Sequence, residues 1–329
     1  MTRLVIAGGS GMIGRQLTAS LLADGLAVDV LTRSPERAAR RLPDGPRVVR
    51  WNPLDQDGGR SVAQALRGAD AVVNLSGVPV GPWPWTPGRR RRIVESRVGS
   101  TARIVEALGL LEPTDRPAVI VCAAGTDGYT GLDAEPATEA TDTTSAAGFL
   151  SELGRAWEAA AERATDLGVR VVTIRTSFVL ARRSALLALL ALPVRVGLGA
   201  RYGDGAQWFS WIHLDDLVAA YRLALAEGRL IGPLIAASPE PRRQRDLAAA
   251  MARVLRRPNR LRVPAWLLRL VLREQATLLL GSVRLMPARL LEAGMAFSYP
   301  DIDSALLDVL GPGDQPGAVI RTRSRPGRT

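Results

Sequence analysis

The sequence predicts a doubly wound α/β fold with a small, mainly helical lobe near its C-terminal end. Over the first half of the chain, short runs rich in Val and Ile alternate with helical patterns, which is typical of a parallel sheet covered on both faces. Beyond residue 235, prolines separate short amphipathic stretches instead. We expect residues 1–235 to form a Rossmann domain with lobe insertions after 175, 236–310 the helical lobe, and 311–329 a disordered basic tail.

The individual elements follow from hydrophobic periodicity and from turn residues. Strands are predicted at residues 4–7, 27–32, 47–51, 70–75, 118–123 and 169–175, with a further run, PLIAAS, at 233–238. Helices are predicted at residues 12–23, 88–111, 145–167, 242–257, 264–274 and 287–293. Asp215 and Asp216 are expected to open one more helix, because Asp is a favoured N-cap residue.

The basic residues of the chain bear on whether it binds nucleic acid. All 43 basic residues are arginines against 32 acidic residues, which gives a net charge of +11. The arginines are spread along the chain apart from clusters at 89–92, 242–245 and in the tail, and aromatic residues are not interleaved with them. We therefore expect a solvated basic surface and no nucleic-acid partner.

Cysteine and hydropathy patterns indicate a cytoplasmic protein. The single cysteine, Cys122, lies in an apolar run and has no partner for an internal disulfide. The chain begins directly with a strand, which leaves no room for a signal peptide. The apolar stretch at 184–192 is too short to span a bilayer, so no membrane partner is expected. Because His213 is the only histidine, no metal site is expected either.

A glycine-rich turn provides the strongest functional signal. Gly8, Gly11 and Gly14 have the spacing GxxGxxG between the strand at 4–7 and the helix at 12–23. A buried strand that turns through glycines into a helix presents backbone N–H groups and a positive helix end to a pyrophosphate. The chain is therefore predicted to bind a dinucleotide.

The end of the second strand indicates which dinucleotide binds. An NAD site usually places a carboxylate there, whereas this strand ends in Thr32, Arg33 and Ser34. A guanidinium can pair bidentately with a 2′-phosphate. Asp29 is a competing ribose ligand, but it lies in the middle of the strand. We predict NADP, with NAD as the alternative.

Further motifs extend along the chain to about Leu310. They are GGSGMIG at 8–14, NLSG at 74–77, PWTPGRRRRIVESR at 84–97, GYTG at 128–131, AWEAA at 156–160, IRTSFVL at 174–180, GDGAQWFSWIHLDD at 203–216, RVPAW at 262–266 and LMPARLLEAGMAFSYPDIDSAL at 285–306. On these motifs the chain resembles an extended, atypical short-chain dehydrogenase/reductase of the NAD(P)-dependent epimerase/dehydratase type with a C-terminal domain of unknown function.

The resemblance implies a set of binding residues and a place for a small-molecule substrate between the sheet domain and the lobe. It places the Gly8–Gly14 turn, with Ser10, Met12 and Ile13, at the pyrophosphate and Arg33 at the 2′-phosphate. The adenosine side would be walled by Leu75, Ser76 and Gly77. It implies nothing about the oligomeric state.

The catalytic residues usual in such enzymes are missing. Short-chain dehydrogenases use a Tyr-x-x-x-Lys pair, and this chain has no lysine. Spacing from Trp157 places the pair at Leu150 and Gly154, and the usual Ser near Gly125. Thr126 and Tyr129, just beyond the end of a strand, are the substitutes that the sequence offers.

These substitutes have structural alternatives. An unassisted phenol has a pKa near 10, which an arginine could lower, and Tyr129 could equally be a packing residue. Asp204 and Gln207 lie in a Gly-rich loop as substrate contacts or as turn residues. His213 could act as a base or order the start of a helix. The tryptophans at 83 and 85 and at 208 and 211 could line a pocket or be buried.

The sequence is therefore consistent with two functions. One is an NADP-binding oxidoreductase or sugar-nucleotide epimerase with an unusual proton donor. The other is a catalytically silent NADPH sensor or scaffold.

Overall fold

The computed structural model describes residues 1–55, 58–81, 84–182, 184–199, 201–259 and 261–311. Trp83 and almost all of the predicted disordered tail, residues 312–329, lie outside the described residues.

The strands in these ranges are β1 (Arg3–Ala7), β2 (Ala27–Thr32), β3 (Arg47–Arg50), β4 (Ala71–Asn74), β5 (Val119–Gly125), β6 (Arg170–Thr176), β7 (Phe178–Leu180), β8 (Arg201–Tyr202), β9 (Trp208–Phe209), β10 (Trp211–His213), β11 (Gly232–Ala236), β12 (Arg242–Arg243) and β13 (Arg262–Val263). The α-helices are α1 (Met12–Ala23), α2 (Pro35–Ala39), α3 (Gly58–Leu66), α4 (Pro87–Val94), α5 (Ser100–Gly109), α6 (Phe149–Glu162), α7 (Ala185–Arg195), α8 (Leu214–Ala226), α9 (Gln244–Leu255), α10 (Ala265–Leu272), α11 (Thr277–Leu280), α12 (Ala288–Glu292) and α13 (Ile302–Leu310).

The centre of the molecule is a seven-stranded sheet in the order β3-β2-β1-β4-β5-β6-β11. Its strands are parallel throughout, which confirms the predicted doubly wound fold. Because β1 pairs with both β2 and β4, the winding reverses between β1 and β4. Ligands of such sheets bind outside the carboxyl ends of the strands at this point.

Apolar side chains leave both faces of the sheet and form two cores. One joins Leu4 and Ile6 to α1 and α8, and the other joins Val5 to α3, α5 and the buried Cys122. Burial raises the pKa of the Cys122 thiol to about 12, so this cysteine stays a neutral thiol. The near-continuous apolar strands are explained by this two-sided burial.

Two predicted helices are interrupted or shortened. The stretch predicted as one helix over 88–111 contains a π-helical segment, Glu95–Gly99, between α4 and α5. The helix predicted over 145–167 begins only at Phe149, because Gly148 has φ +103°, and a 3₁₀ turn follows it at Thr165–Leu167. Helical periodicity therefore identified both helices but not their breaks.

The lobe is built from two parts of the chain. Its core joins Leu187, Leu190 and Val194 of α7 to Met251 of α9 and Leu306 of α13. Residues between β6 and β11 thus contribute to the lobe core together with the C-terminal residues. The carboxylate of Asp216, in α8, accepts backbone N–H groups of Ser298 and Tyr299 at 2.6 and 3.0 Å and ties the lobe to the sheet domain.

Candidate functional site

The glycine turn after β1 accepts no larger residue without movement of the backbone. Gly8 has φ +77°, and a Cβ there would lie 2.7 Å from Leu75 O. A Cβ at Gly14 would lie 2.5 Å from Gly9 Cα. Both obstacles are backbone atoms, so the helix and the turn approach each other as closely as only glycine permits.

The N-terminus of α1 is open to a ligand. Gly11 is its N-cap residue, and no side chain of the described chain caps it. The first intrahelical hydrogen bond runs from Arg15 N to Gly11 O at 3.0 Å, so the N–H groups of Met12, Ile13 and Gly14 have no acceptor within the helix. Ser10 lies beside them, partly buried. The arrangement suits an anion such as a pyrophosphate.

Arg33 and Asp29 occupy very different environments. Arg33 follows β2, is exposed, and makes no hydrogen bond or ion pair with the described residues. Asp29 is buried in the middle of β2, where Arg47 and Arg3 bind its carboxylate at 2.6 and 2.8 Å. Burial opposes ionisation of Asp29, but these arginines outweigh it and hold the pKa of the carboxyl below its usual value. Asp29 is thus committed to neighbouring strands, and Arg33 is free to bind an anion.

The loop after β4 forms the other wall of the cleft. Leu75 N donates to Ala7 O at 2.9 Å, and Ser76 N donates to the side chain of Asn74 at 3.0 Å. Buried Asn74 in turn donates to Thr101 Oγ1 at 2.9 Å, which also accepts Trp157 Nε1 at 3.0 Å. This network fixes the Leu75–Gly77 loop against α5 and α6.

Arg97 reaches this loop from the π-helical segment. Its guanidinium lies against Gly77, where a Cβ would be 3.0 Å from Arg97 Cζ, and 5.3 Å from the ring of Trp157. Its hydrogen bonds to the described residues are long, at 3.4 Å to Ile93 O and to Ser96 Oγ. Burial lowers the pKa of Arg97 to about 10, and the group stays charged at neutral pH. Most of its donors are available for a ligand.

Asp127 follows β5 at the same edge of the sheet. Its Oδ2 lies against Gly125, where a Cβ would be 3.0 Å away, and Ser151 Oγ donates to its backbone carbonyl at 3.2 Å. Burial raises the pKa of the Asp127 carboxyl, and the charge of Arg97 opposes this rise. The cleft therefore combines a cation that has free donors with a carboxyl whose pKa is raised by burial.

Sequence reasoning missed both residues. Arg97 ends the motif at 84–97, but nothing in the sequence distinguishes it from the four arginines at 89–92 as the one that turns inward. Asp127 lies between Thr126 and Tyr129, the two residues that the sequence singled out.

Tyr129 is buried within the protein and is bonded to a neighbouring arginine. Its side chain is 1% exposed and packs against Ile235 and Leu285. Arg175, which also holds Glu158 through two bonds of 2.7 Å, donates to the Tyr129 hydroxyl. Burial raises the pKa of Tyr129 despite the charge of Arg175. This geometry favours the packing interpretation. Thr126 is partly buried just beyond β5.

The positions of the usual Tyr–Lys pair lie at the start of α6. Leu150 is in the first turn, and Gly154 has no atom within 4 Å of the place where a Cβ would be. No side chain of the described chain therefore fills the space in front of Gly154.

The loop residues predicted as substrate contacts make the hydrogen bonds of turn residues. The carboxylate of Asp204 accepts Ala206 N at 2.9 Å. The amide of Gln207 donates to the carbonyls of Tyr202 and Leu279 at 3.3 and 3.0 Å. These contacts hold the loop and favour the turn alternative.

His213 corrects the predicted start of α8. It is itself the N-cap residue, since its Nδ1 accepts Asp215 N at 3.2 Å, and Asp215 and Asp216 lie in the first turn. With Nδ1 as acceptor, Nε2 carries the proton that it shares with Asp308 at 3.3 Å. The predicted cap was wrong because a histidine ring can take the place of the shorter Asp side chain.

The tryptophans have separate environments. Trp211 is fully buried, and Trp208 is stacked by the guanidinium groups of Arg243 and Arg284 at 3.8 and 4.5 Å. Trp85 packs on Phe149 with ring centroids 5.4 Å apart.

The described ranges hold no group of three or more His, Cys, Asp or Glu side chains that could bind a metal ion. None of their helices is long and apolar enough to cross a membrane.

Models of two known families match most of the chain. A model of the NAD dependent epimerase/dehydratase family matches residues 4–233. A second model, of a domain of unknown function called DUF1731, matches residues 263–309. Both families are those that the sequence resemblance named.

Individual relatives cover nearly the full length. An epimerase family protein of Staphylococcus haemolyticus is 32% identical over 312 residues, which cover 94% of this chain and 99% of that protein. The chloroplastic SDR39U1 homolog of Arabidopsis thaliana is 34% identical over 307 residues, 93% of this chain and 86% of that protein. The crystal structure of human SDR39U1 (isoform 2) with NADPH has a TM-score of 0.81 at 27% identity and covers 94% of this chain and 99% of that one.

Proposed function

This chain belongs to the NAD dependent epimerase/dehydratase family, and from that premise we propose that it binds NADPH and uses it as an oxidoreductase or epimerase acting on a small polar substrate. The observation that carries the proposal is the open glycine cradle at the switch point, with the free Arg33 beside it. The human relative whose structure holds NADPH supports the choice of cofactor.

The residues present fit this cofactor. The uncapped N–H groups of Met12, Ile13 and Gly14 would bind the pyrophosphate, and glycine at 8 and 14 lets the turn, the helix and the Leu75 loop approach one another closely enough to form this site. Arg33 would bind the 2′-phosphate, and the Leu75–Gly77 loop would flank the adenosine side. Bound there, the nicotinamide would supply or accept a hydride.

Titration with NADPH and NADH, followed by nicotinamide fluorescence, tests the cofactor assignment. Arg33→Ala is expected to weaken NADPH binding by about 10- to 100-fold, because a hydrogen bond to a charged group contributes about 1.5–3 kcal/mol. NADH binding should change little. Arg163→Ala is the matched control, because Arg163 is exposed at the end of α6, at the opposite edge of the sheet. Equal losses for both cofactors would refute the role of Arg33.

We propose that Arg97 and Asp127 replace the missing proton-transfer pair. Reduction of a carbonyl leaves negative charge on its oxygen, and the free donors of Arg97 would stabilise that charge. Asp127, whose pKa is raised by burial, would be the group that gives a proton to the oxygen, and the carboxylate that remains would be attracted by Arg97. In the reverse direction the same carboxylate would take the proton of a hydroxyl. Epimerisation through a keto intermediate needs both directions.

Variants of this pair separate chemistry from binding. Arg97→Ala and Asp127→Asn are expected to retain NADPH affinity within a few-fold and to lose about 100-fold or more in turnover of any carbonyl compound or sugar nucleotide found as substrate. Glu152→Gln is the control, since Glu152 is exposed on α6. If Asp127→Asn kept the wild-type turnover, Asp127 would not be the proton-transfer group.

A silent NADPH sensor is the second candidate. It is favoured by the open space at Gly154 and by the commitment of the Tyr129 hydroxyl to Arg175. Tight NADPH binding without turnover of a broad substrate panel would support it, whereas oxidation of NADPH that depends on Asp127 would exclude it.

A further inference from the structure

The lobe carries a large apolar surface that nothing in the described chain covers. None of the eight residues of α10 is buried, although its sequence is AWLLRLVL. Helix α7 buries one side against the lobe core and exposes leucines on the other. We call the exposed apolar residues of the two helices, with those just after α7 and just before α10, the basic apolar face: Leu186, Leu189, Leu192, Val196, Leu198, Leu261, Trp266, Leu267, Leu270 and Val271.

The two helices belong to one continuous surface. Leu261 N donates to Leu198 O at 3.0 Å, so these two exposed leucines are neighbours. The next residues, Arg201 and Arg262, pair in the parallel strands β8 and β13. The chain then enters α10 directly, where Trp266, Leu270 and Val271 are 65%, 68% and 68% exposed. Side chains of this size are rarely left so open over a contiguous area.

The two segments that carry this face also hold most of the net charge of the chain. Residues 182–201 contain four arginines, residues 256–273 contain six, and neither segment contains an acidic residue. These 38 residues therefore account for +10 of the net charge of +11. An apolar surface that includes a tryptophan and lies on arginine-rich segments matches a bilayer whose headgroups are anionic.

The same charge argues against a second copy of the chain as the partner. In a symmetric dimer the same face meets itself, so that two arginine-rich segments, neither of which contains an acidic residue, would meet their own copies. A nucleic acid would satisfy the charge but not the leucines and Trp266. The C-terminal residues 312–329 carry four arginines and one aspartate, so their charge does not complement this face either.

We propose that the basic apolar face docks the protein on the surface of an anionic lipid bilayer. The contact is peripheral, since α7, with 11 residues, is about 16 Å long, about half the thickness of a hydrocarbon core. The sequence predicted no membrane partner because its apolar stretch at 184–192 is too short to span a bilayer, and a contact with the bilayer surface needs no spanning helix. This inference does not depend on the proposed enzymatic function.

Vesicle flotation of the full chain tests the proposal. Vesicles of phosphatidylcholine alone are compared with vesicles that also contain phosphatidylglycerol. The protein is expected to float with the anionic vesicles and not with the neutral ones, and to be released as salt is raised. The double variant Leu270→Glu/Val271→Glu should lower partitioning at least about tenfold, and Arg269→Gln about fivefold.

Controls separate docking from folding. Leu110→Glu places the same charge on a leucine that is 56% exposed at the end of α5, far from the lobe, and should leave partitioning unchanged. Because Leu270 and Val271 are already exposed, their variant should unfold at the wild-type temperature. A second double variant, Leu189→Glu/Val196→Glu, tests α7 in the same way.

Three results would overturn the proposal. The first is a wild-type chain that floats with neither vesicle. The second is equal binding by wild type and both double variants. The third is self-association through this face, seen in sedimentation velocity as a dimer that Leu270→Glu/Val271→Glu abolishes while vesicle binding is absent.

Discussion

Replacing Gly14 by alanine tests whether close backbone approach creates the dinucleotide site. The new Cβ would lie 2.5 Å from Gly9 Cα and 2.7 Å from Gly9 C and O. Carbon atoms in contact are normally about 3.5–4.0 Å apart, so α1 must withdraw from the turn by about 1 Å. No side chain can rotate to relieve the clash, because all three obstacles are backbone atoms.

The magnitude follows from two opposing effects. Overpacking of this kind costs about 1–3 kcal/mol, and the better helix propensity of alanine returns up to about 1 kcal/mol. We expect a net loss of about 1–2 kcal/mol in the free energy of unfolding. Displacement of the Met12, Ile13 and Gly14 N–H groups should also weaken NADPH binding about 10- to 100-fold, as expected when hydrogen bonds to a charged group are lost.

Urea unfolding and NADPH titration measure the two effects. Gly109→Ala is the matched control: Gly109 is the last residue of α5, and the nearest atoms to its Cβ would be those of Leu167 at 3.9 Å, an ordinary contact. That variant should be as stable as wild type or slightly more stable, with unchanged affinity. If Gly14→Ala kept both its stability and its NADPH affinity, the close-approach argument would be refuted.

Two further substitutions test the roles assigned to buried polar groups. Asp29→Asn should lower the free energy of unfolding by about 1–3 kcal/mol. This loss is smaller than for a fully buried ion pair, because Arg47 is itself largely exposed. The preference for NADPH over NADH should be unchanged. The pKa of Asp29 in the folded protein lies below its unfolded value of about 4. Its contribution to the free energy of unfolding should therefore be complete above pH about 4 and be lost as the pH falls through the folded pKa. Acid titration should show this loss for the wild type and not for the variant. Tyr129→Phe should cost about 1–2 kcal/mol, because Arg175 loses a buried acceptor but keeps Glu158, with turnover unchanged. Abolished turnover at full stability would instead identify Tyr129 as the acid.

Local patterns were sufficient to predict the sheet and the cofactor turn. The period of apolar residues reports which side of an element is buried, and α1 and β2 were predicted with the bounds that the structure gives them. Gly8, Gly11 and Gly14 were recognisable because the chemistry of a tight turn depends on a few consecutive residues. The breaks at Gly148 and at Glu95–Gly99 were not, because a helical period continues through them.

What the sequence by itself determined is therefore the fold class, the family and the place of the glycine turn, all of which are written in residues that are neighbours along the chain. Only the tertiary structure decided which of many arginines turns inward as Arg97, that Asp127 shares its cleft, and that Tyr129 is committed to Arg175. It also decided that two separate arginine-rich segments form one exposed apolar face. The physical reason is that burial and electrostatic partnership depend on distances between residues far apart in sequence, which the topology of the sheet sets.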